Sequence, residues 1–366
     1  MNDQSYMTRA LALAYRGLFT TTPNPNVGCV LVRNGHIVGE GYHLRAGEPH
    51  AEIHALRMAG DRSRGATVYL TLEPCSYYGR TPPCCDALIA AGVRRVFIAM
   101  QDPNPQVSGH GIYRLKQAGI SVSCGLMMSA AEQLNRGFLK RMRSGLPWVQ
   151  LKLGCSLDGR TAMCNGESKW ITSLESRQDV QRLRAQNSAI LSTSATVLAD
   201  NPKLTVRYEE LSRSIRELYP QKILRQPIRI IIDTHHRVTA AHLLIHQPGE
   251  TWFIRDTRDT NNWPSTVKQL LLPYDNGHPH LRSMLECLAE QEINSILVEA
   301  GAEFSGALLQ ANLVDELIMY IAPKLIGDSG LGMCQFKGLE KLGDVPIFTF
   351  TDLISLGPDI RVTLKP

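Results

Sequence analysis

In the first part of the chain, segments with the apolar spacing of a β-strand alternate with segments that have the apolar spacing of an α-helix. Residues 27–42, VGCVLVRNGHIVGEGY, form two β-rich runs around Asn34-Gly35, a pair that favours a hairpin because both residues tolerate positive φ. Residues 49–58 have a helical pattern, and the apolar run ATVYLTLEP after them predicts a buried strand ending at Pro74. Because this alternation continues to Gly125, we predict a mainly parallel sheet covered by helices on both faces.

A second strand-and-helix series begins after a boundary marked by Gly145 and Pro147. A helix of mixed charge, roughly Ala130 to Arg143, is predicted to lead into this boundary. Beyond it, the series runs from the strand WVQLKLGCS to two closing strands in IFTFTDLISLGPDIRVTL, with residues 255–266 as a polar surface loop. We therefore predict two α/β domains, residues 1–145 and 146–366.

Composition and charge narrow the functional class. The chain has 366 residues, and its net charge of +5 is dispersed, which suits an anionic small substrate but is too mild to indicate nucleic-acid binding. The pattern of the N-terminal segment predicts an amphipathic helix and not a secretory signal. No apolar run in the sequence is long enough to span a membrane. We therefore expect a cytoplasmic protein whose nine cysteines stay reduced and, where close together, are more often metal ligands than disulfides.

A candidate metal site combines the motif PHAEIHAL, which contains His50 and Glu52, with two cysteines further along the chain. Cys75 and Cys84 each follow a proline at a predicted helix start, where the helix dipole favours thiolate. One imidazole and two thiolates suit a catalytic zinc ion, which keeps its fourth position for water. Cys84 is preferred to Cys85 because the Pro-Pro-Cys turn places it at the mouth of the helix.

The same residues support more than one function. Glu52 can reach a zinc-bound water without binding the metal and can pass its proton to a departing amine, which is the H-x-E…P-C-x-x-C chemistry of zinc deaminases. Here SYYGRTPP separates the two cysteines. Alternatively, Cys85 or His54 completes a structural zinc site that supports a partner-binding module. A further alternative is a nucleic-acid base deaminase with a C-terminal binding module, which requires a basic, aromatic-rich stripe that the sequence lacks.

The C-terminal half lacks the G-x-G-x-x-G fingerprint but contains LVEAGAEFSGALL at 297–309. A strand runs into Gly301, and a helix is predicted to open near Ser305-Gly306, where N–H groups and the dipole favour a phosphate. Such a joint also occurs for packing alone. Arg184 and Arg207 offer forked donors that suit a substrate phosphate, although an isolated arginine is more often a solvated surface residue.

Several segments resemble the RibD family of bifunctional riboflavin-biosynthesis enzymes. TTPNPNVGCVLV, PHAEIHAL, TLEPCSYYGRTPPC and MQDPNPQVSGHGI resemble its deaminase half, and LKLGCSLDGRTA, SKWITS, TSATVLADNPKLTVR and LVEAGAEFSGALL resemble its reductase half. The resemblance covers essentially the whole chain. It implies a cytidine-deaminase-like three-layer α/β/α domain followed by a dihydrofolate-reductase-like α/β domain, with one Zn2+ per chain and NADPH as cofactors.

The resemblance also implies roles for individual residues. His50, Cys75 and Cys84 correspond to the zinc ligands, Glu52 to the proton shuttle, and Asn24 and residues 102–104 to pocket loops. The implied NADPH contacts are Gly154, Trp170, Thr196, Asp200, Thr234, Gly301, Ala302, Glu303, Phe304, Ser305, Gly306 and Ala307. The implied substrate contacts are Ser168, Arg184, Leu204, Arg207 and Glu299. Tyr77 is a departure, because the family commonly has His at that position.

The implied activity has two steps. The first is hydrolytic deamination of 2,5-diamino-6-(5-phosphoribosylamino)pyrimidin-4-one to 5-amino-6-(5-phosphoribosylamino)uracil, and the second is NADPH reduction of the ribosyl group to ribityl. The expected partner is therefore a small phosphorylated pyrimidine, with neither nucleic acid nor membrane. We also expect a homodimer or a higher homo-oligomer.

Overall fold

The computed structural model describes residues 2–77, 83–105, 107–275 and 277–366. The part of the insertion between Cys75 and Cys84 at positions 78–82 lies outside these residues. The chain divides into two units, Met1–Gly145 and Leu146–Pro366. No helix in the described ranges has the length and apolar character needed to cross a bilayer.

The first unit is built on a sheet with the strand order β2-β1-β3-β4-β5. Its strands are β1 (Gly28–Arg33), β2 (His36–Tyr42), β3 (Thr67–Leu70), β4 (Arg95–Ile98) and β5 (Ser121–Cys124). Its helices are α1 (Asp3–Tyr15), α2 (Ala51–Ala59), α3 (Cys84–Ala90), α4 (His110–Gln117), α5 (Met128–Leu134) and α6 (Arg136–Ser144). β1 is antiparallel to β2 and β3, whereas β3, β4 and β5 are parallel, so the sheet is mixed. The prediction of a mainly parallel sheet is therefore wrong for this unit, because the hairpin turn reverses the chain after β1 and β1 also pairs antiparallel with β3.

Helices cover both faces of this sheet. One apolar cluster joins alternate strand residues to α2, α3 and α4, and a second joins the intervening strand residues to α1, α5 and α6. The predicted hairpin is confirmed, since Asn34 and Gly35 connect β1 and β2 with φ values of 50° and 77°. The three-layer α/β/α architecture is also confirmed.

Two further sequence-based predictions differ from the fold of this unit. The single helix predicted over Ala130–Arg143 is wrong, because α5 ends and α6 begins at Asn135. The Asn135 side chain accepts a hydrogen bond from the backbone N–H of Asn26 at 2.7 Å and donates one to its carbonyl at 3.0 Å. Such side-chain bonds to distant backbone compete with a continuous helix. The strand predicted to end at Pro74 ends earlier, at Leu70.

The second unit is built on a larger sheet with the order β11-β10-β9-β8-β14-β6-β15-β18-β17. Its strands are β6 (Trp148–Ser156), β7 (Arg160–Ala162), β8 (Ala189–Thr193), β9 (Ile228–Ile232), β10 (Thr251–Arg255), β11 (Val267–Leu271), β12 (Tyr274–Asp275), β13 (His278–Pro279), β14 (Ser295–Val298), β15 (Glu316–Ala322), β16 (Leu331–Gly332), β17 (Thr349–Leu356) and β18 (Asp359–Lys365). Its helices are α7 (Leu174–Gln186), α8 (Ser194–Asp200), α9 (Arg213–Leu218), α10 (Leu281–Glu290) and α11 (Ala302–Gln310).

All neighbouring strands from β11 to β15 are parallel, and the predicted closing strands β17 and β18 pair antiparallel at the other edge. The C-terminal ends of β6, β8, β9 and β14 therefore meet at one edge of the sheet. β14 inserts between β6 and β8, which precede it in the chain. Such a reversal of strand order opens a crevice at the carboxyl edge, which is where α/β sheets bind ligands.

Candidate functional site

The first unit brings together His50, Cys75 and Cys84 from three separate segments. His50 is the N-cap of α2, Cys75 follows β3, and Cys84 is the first residue of α3. Their ligand atoms all lie within 4.8 Å of one another. Two residues that the sequence left as alternatives lie outside this group, because Cys85 packs in the apolar cluster and His54 does not join the three ligand atoms.

The spacing of the three donor atoms fits a tetrahedral metal ion. His50 Nδ1 lies 3.2 Å from Cys84 Sγ and 3.6 Å from Cys75 Sγ. In a zinc site with ordinary bond lengths, neighbouring donors lie about 3.5 Å apart. Nitrogen and sulfur donors are also the types that zinc prefers. The three side chains therefore fit a zinc ion with one coordination position left for a ligand that is not protein.

The pKa values of the two thiols are shifted in opposite directions. Hydrogen bonds donated by the Cys84 thiol, by His50 and by the Cys84 backbone N–H lower the pKa of Cys75. The pKa of Cys84 is raised, chiefly because its thiol donates to Cys75 and because it is buried. Metal ligands must be thiolates, so a divalent cation bound by both sulfur atoms would displace the proton from Cys84.

Glu52 is a buried carboxyl group beside the ligand set, and its side chain is only 3 % exposed. Its Oε2 atom is buried and has no hydrogen-bond partner among the described residues. Burial raises the pKa of Glu52 to about 7, against the opposing charge of His50. A carboxyl group with a pKa near neutrality and an unpartnered oxygen is suited to accepting and releasing a proton.

Close backbone packing fixes α2, and with it His50 and Glu52, against the sheet. A Cβ atom at Gly39 would lie 2.2 Å from the carbonyl oxygen of Ala55, and one at Gly41 would lie 2.2 Å from that of Ala51. Only glycine allows this approach. These glycines of β2 were not singled out from the sequence, because the contact becomes visible only when the helix is placed on the strand.

Glu73 is a second buried carboxyl group that the sequence did not single out. Its Oε2 accepts hydrogen bonds from the backbone N–H groups of Asp102 and Gly109 at 3.2 and 3.0 Å, and its Oε1 accepts one from Ile112 at 3.1 Å. The first turn of α4 lies so close that a Cβ at Gly111 would be 2.2 Å from the Pro74 carbonyl oxygen. Glu73 therefore ties the segment before Cys75 to the start of α4.

We predict that Glu73→Gln lowers the stability of the first unit by about 2–3 kcal/mol, since an amide presents N–H groups to backbone donors that now bond a carboxylate. The measurement is the temperature at which deaminase activity is lost. All four tryptophans lie in the second unit, so their fluorescence is an internal control for that unit. Glu132→Gln, which removes one surface ion pair with Arg143, serves as the matched variant. An unchanged inactivation temperature in Glu73→Gln would contradict this role.

The pocket loops assigned from sequence lie close to the ligand set. The Asn24 Nδ2 atom is 3.0 Å from His43 Nε2, and the His43 ring packs edge-on against the His50 ring at 5.3 Å. Burial lowers the pKa of His43 to about 4, so this ring is neutral near pH 7. Burial raises the pKa of Asp102 to about 6. Burial, with Cys75 and Asp102 nearby, also raises the pKa of Tyr77, which therefore stays a neutral phenol.

The predicted cofactor contacts of the second unit lie on or after strands at the carboxyl edge of the sheet. Gly154 is in β6, Thr196 and Asp200 are in α8 after β8, and Thr234 follows β9. Trp170 is 63 % exposed. Its neighbour Lys169 pairs with Asp200 at 3.4 Å, and Arg177 lies over the Trp170 indole ring at 4.6 Å.

The start of α11 fits a phosphate, although not as the sequence predicted. The helix begins at Ala302 with Gly301 as its N-cap, so the expected opening near Ser305-Gly306 is wrong. Ser305 is fully buried. A Cβ at Gly306 would lie 2.0 Å from the Gln335 carbonyl oxygen, so packing against this backbone requires glycine at position 306. A Cβ at Gly301 would meet nothing within 4 Å. The open backbone at Gly301 therefore exposes N–H groups of this helix to an anionic ligand such as the NADPH pyrophosphate.

Two of the predicted substrate contacts bind each other. Arg184 Nε and Nη2 donate to the Glu299 carboxylate at 2.7 and 2.9 Å, and Arg184 Nη1 donates to the Thr205 carbonyl at 2.9 Å. Burial raises the pKa of Glu299, but Arg184 and Lys152 outweigh it, so the net shift is downward. Burial lowers the pKa of Lys152, a residue near Glu299 that the sequence did not single out.

The remaining predicted substrate contacts are more dispersed. Arg207 is exposed and pairs with Glu210 at 2.5 Å. Leu204 is buried, with a positive φ of 48°, and Ser168 is half-buried in the loop that leads to Trp170. Ser168 lies in the loop before α7, and Leu204 and Arg207 lie in the loop after α8. Their roles in substrate binding stay predictions.

Comparisons with known proteins cover both units. Residues 147–362 match the family described as RibD C-terminal domain, and residues 1–100 match the cytidine and deoxycytidylate deaminase zinc-binding region. The chain is 65 % identical over 364 residues to the riboflavin biosynthesis protein RibD of Escherichia coli (strain K12), covering 100 % of this chain and 99 % of that protein. It is 52 % identical over 365 residues to RibD of Haemophilus influenzae, covering 100 % and 97 %.

Solved structures agree with these relatives. A structure of Acinetobacter baumannii RibD matches with a TM-score of 0.91 and 42 % identity, covering 100 % of this chain and 98 % of that one. A Thermotoga maritima diaminohydroxyphosphoribosylaminopyrimidine deaminase/5-amino-6-(5-phosphoribosylamino)uracil reductase matches with a TM-score of 0.86 and 32 % identity, covering 99 % and 98 %.

Proposed function

The chain belongs to the RibD family and is a bifunctional deaminase and reductase of riboflavin biosynthesis, and on this premise we propose the substrate of each step and the residues that act on it. The deaminase uses zinc and the reductase uses NADPH. We propose that the first step converts 2,5-diamino-6-(5-phosphoribosylamino)pyrimidin-4-one to 5-amino-6-(5-phosphoribosylamino)uracil, and that the second reduces the ribosyl group of that product. The name of the Thermotoga maritima relative supports both assignments.

In this proposal His50, Cys75 and Cys84 hold the zinc ion. The observation that carries the assignment is that their donor atoms lie within 4.8 Å of one another beside the unpartnered Oε2 of Glu52. When bound, zinc supplies a water molecule whose pKa is lowered to about 7. Glu52 accepts a proton at Oε2 and delivers it to the amino group that leaves the pyrimidine ring. Its burial excludes bulk water from this transfer.

The pocket around this centre orients the pyrimidine. Asn24, held by His43, supplies an amide group, and the neutral Tyr77 phenol supplies a hydrogen-bond donor where the family commonly has His. Unlike histidine, this phenol does not titrate near neutral pH. Tyr77 therefore contributes hydrogen bonding and ring contact to substrate binding and no proton transfer.

The second unit binds NADPH and the phosphorylated sugar. We assign NADPH to Gly154, Trp170, Thr196, Asp200, Thr234 and residues 301–307, with its pyrophosphate at the open backbone of Gly301. NADPH supplies the hydride that reduces C1 of the ribose. We assign the substrate to Ser168, Arg184, Leu204, Arg207 and Glu299. Arg184 also holds the Glu299 carboxylate in position.

The proposal also covers the domain boundaries, the cellular location and the oligomeric state of the enzyme. We assign the deaminase to residues 1–145 and the reductase to residues 146–366, supported by the division of the chain at Gly145. We further propose a cytoplasmic homodimer or higher homo-oligomer that acts on a small molecule and not on nucleic acid. The Thermotoga maritima relative, whose name gives both activities on a phosphoribosylamino-pyrimidine, supports the small-molecule substrate.

A coupled assay tests the proposed function after zinc has been quantified in the purified protein. With the diaminopyrimidine substrate alone, we expect ammonia release and accumulation of the uracil. Addition of NADPH should then give NADPH oxidation and the ribityl product. NADPH oxidation without prior ammonia release would contradict the proposed order, and ammonia release from oligonucleotides would favour the nucleic-acid alternative.

A further inference from the structure

We propose that Arg237 binds the 2′-phosphate of NADPH and makes the reductase select NADPH over NADH. The inference rests on the proposed function, because it takes the cofactor to lie along the carboxyl edge of the sheet in the second unit. Arg237 is exposed and was not among the cofactor contacts predicted from the sequence.

The topology places Arg237 between two predicted cofactor contacts. β8 and β9 are parallel neighbours, so the segments after their C-terminal ends lie side by side. Thr196 follows β8, and Thr234 and Arg237 follow β9. A dinucleotide that contacts both threonines therefore crosses the ends of these two strands.

The strand order also separates this position from the pyrophosphate. The order β9-β8-β14 puts the Gly301 segment, which follows β14, two strands away from the segment that follows β9. At the usual strand spacing this is about 10 Å. The pyrophosphate at Gly301 and the adenosine end of the cofactor beyond β8 therefore fit along one line of strand ends.

Arg237 is held firmly at this position. The Asp233 carboxylate accepts hydrogen bonds from the backbone N–H groups of Arg237 at 2.9 Å and of Val238 at 3.3 Å. The buried guanidinium of Arg255 fixes Asp233 in turn, at 2.6 Å. At the other end, Arg237 Nη2 donates to the Oγ of the buried Ser194 at 3.1 Å, which joins the β8 and β9 segments.

The charges around Arg237 leave its guanidinium available for an anion. Arg255 already pairs with Asp233 and Asp259, and His236 lies near Asp256. In the stretches of chain that the structure describes, no carboxylate lies within 4.0 Å of a nitrogen of the Arg237 guanidinium. A guanidinium fork matches phosphate oxygens. NADH has a hydroxyl group in place of this phosphate, so the contact favours NADPH alone.

Calorimetric titration of the zinc-loaded protein with NADPH and with NADH tests the inference without relying on activity. We expect Arg237→Gln to weaken NADPH binding about 10- to 100-fold, the usual effect of losing hydrogen bonds to a charged group, and to change NADH binding less than about twofold. The fragment 2′,5′-ADP should lose affinity in the same way, and 5′-AMP should not. Arg237→Lys keeps the positive charge but loses the bidentate geometry of the guanidinium. Its affinity for NADPH should lie between those of the wild type and Arg237→Gln.

Arg213→Gln is the matched control, because it removes an exposed arginine that pairs with Glu217 and should leave both affinities unchanged. If Arg237→Gln lost affinity equally for NADPH and NADH, or bound NADPH as tightly as the wild type, the role of Arg237 would be overturned. The reductase assignment would stay intact. A wild-type protein that binds neither dinucleotide would overturn the proposed cofactor site as well.

Discussion

Glu52→Gln lowers the rate of deamination by about two to four decades, while zinc content and the reduction of pre-deaminated substrate stay unchanged. Glutamine keeps the size of the side chain but cannot accept a proton at the position of Oε2, the atom that has no partner among the described residues. The measurement is ammonia release from the diaminopyrimidine, with zinc quantified in the same sample and NADPH oxidation followed with the uracil substrate.

Glu40→Gln is the matched control for this change. It neutralises a carboxylate of the same unit that pairs with Arg9 at 2.6 Å on the surface, and it should leave both activities unaltered. Deamination that survives in Glu52→Gln would exclude Glu52 as the proton carrier. A parallel loss of reduction would show that the two sites do not act independently.

Glu299→Gln is expected to lower the free energy of unfolding of the second unit by about 3–5 kcal/mol and to abolish reduction. The variant leaves the buried Arg184 guanidinium without the carboxylate that now receives two of its hydrogen bonds. Denaturant unfolding followed by tryptophan fluorescence measures this directly, because every tryptophan of the chain lies between residues 148 and 263. Deamination should be retained.

A double variant separates the contribution to stability from the contribution to substrate binding. Arg184→Met with Glu299→Leu removes both charges and replaces them with apolar groups, which often restores the stability lost when a buried pair is broken. We expect stability to recover and reduction to stay absent. A fully stable Glu299→Gln, or a double variant that still reduces substrate, would contradict the assignment.

The same pair predicts how stability depends on pH. Because the pKa of Glu299 is lowered in the folded protein, mainly by Arg184 against burial, its contribution to stability is present above its unfolded value of about 4.3. This contribution is lost as the pH falls through the folded pKa. Glu299→Gln should therefore lose less stability between neutral and acidic pH than the wild type.

Local patterns in the sequence were sufficient to predict two α/β units and to select three candidate zinc ligands that the fold brings together. The hairpin at Asn34-Gly35 depends on two adjacent residues, and the α/β alternation depends on runs of apolar residues. The candidate ligands could be selected because imidazole and thiol groups are distinctive in their chemistry, even when, like His50 and Cys84, they are far apart in the chain.

Residues that act through long-range contacts could not be predicted in this way. Glu73 is one of many glutamates until the fold brings it to the start of α4, and Asn135 interrupts a helix only because Asn26 lies beside it. The role of a small residue is equally difficult to predict from the sequence. From the sequence, Gly306 was singled out only as a candidate cofactor contact, whereas the fold shows that its small size also provides room for the backbone at Gln335.

Zinc K-edge X-ray absorption of the purified, active protein tests the central claim most directly, because it measures both the metal content and its ligands. We predict one zinc ion per chain with two sulfur ligands at about 2.3 Å and two nitrogen or oxygen ligands at about 2.0–2.1 Å, one of them from solvent. Cys75→Ser should lower the sulfur count or the zinc content. Active protein without zinc, or a zinc ion with three or four sulfur ligands, would contradict a catalytic centre built from His50, Cys75 and Cys84.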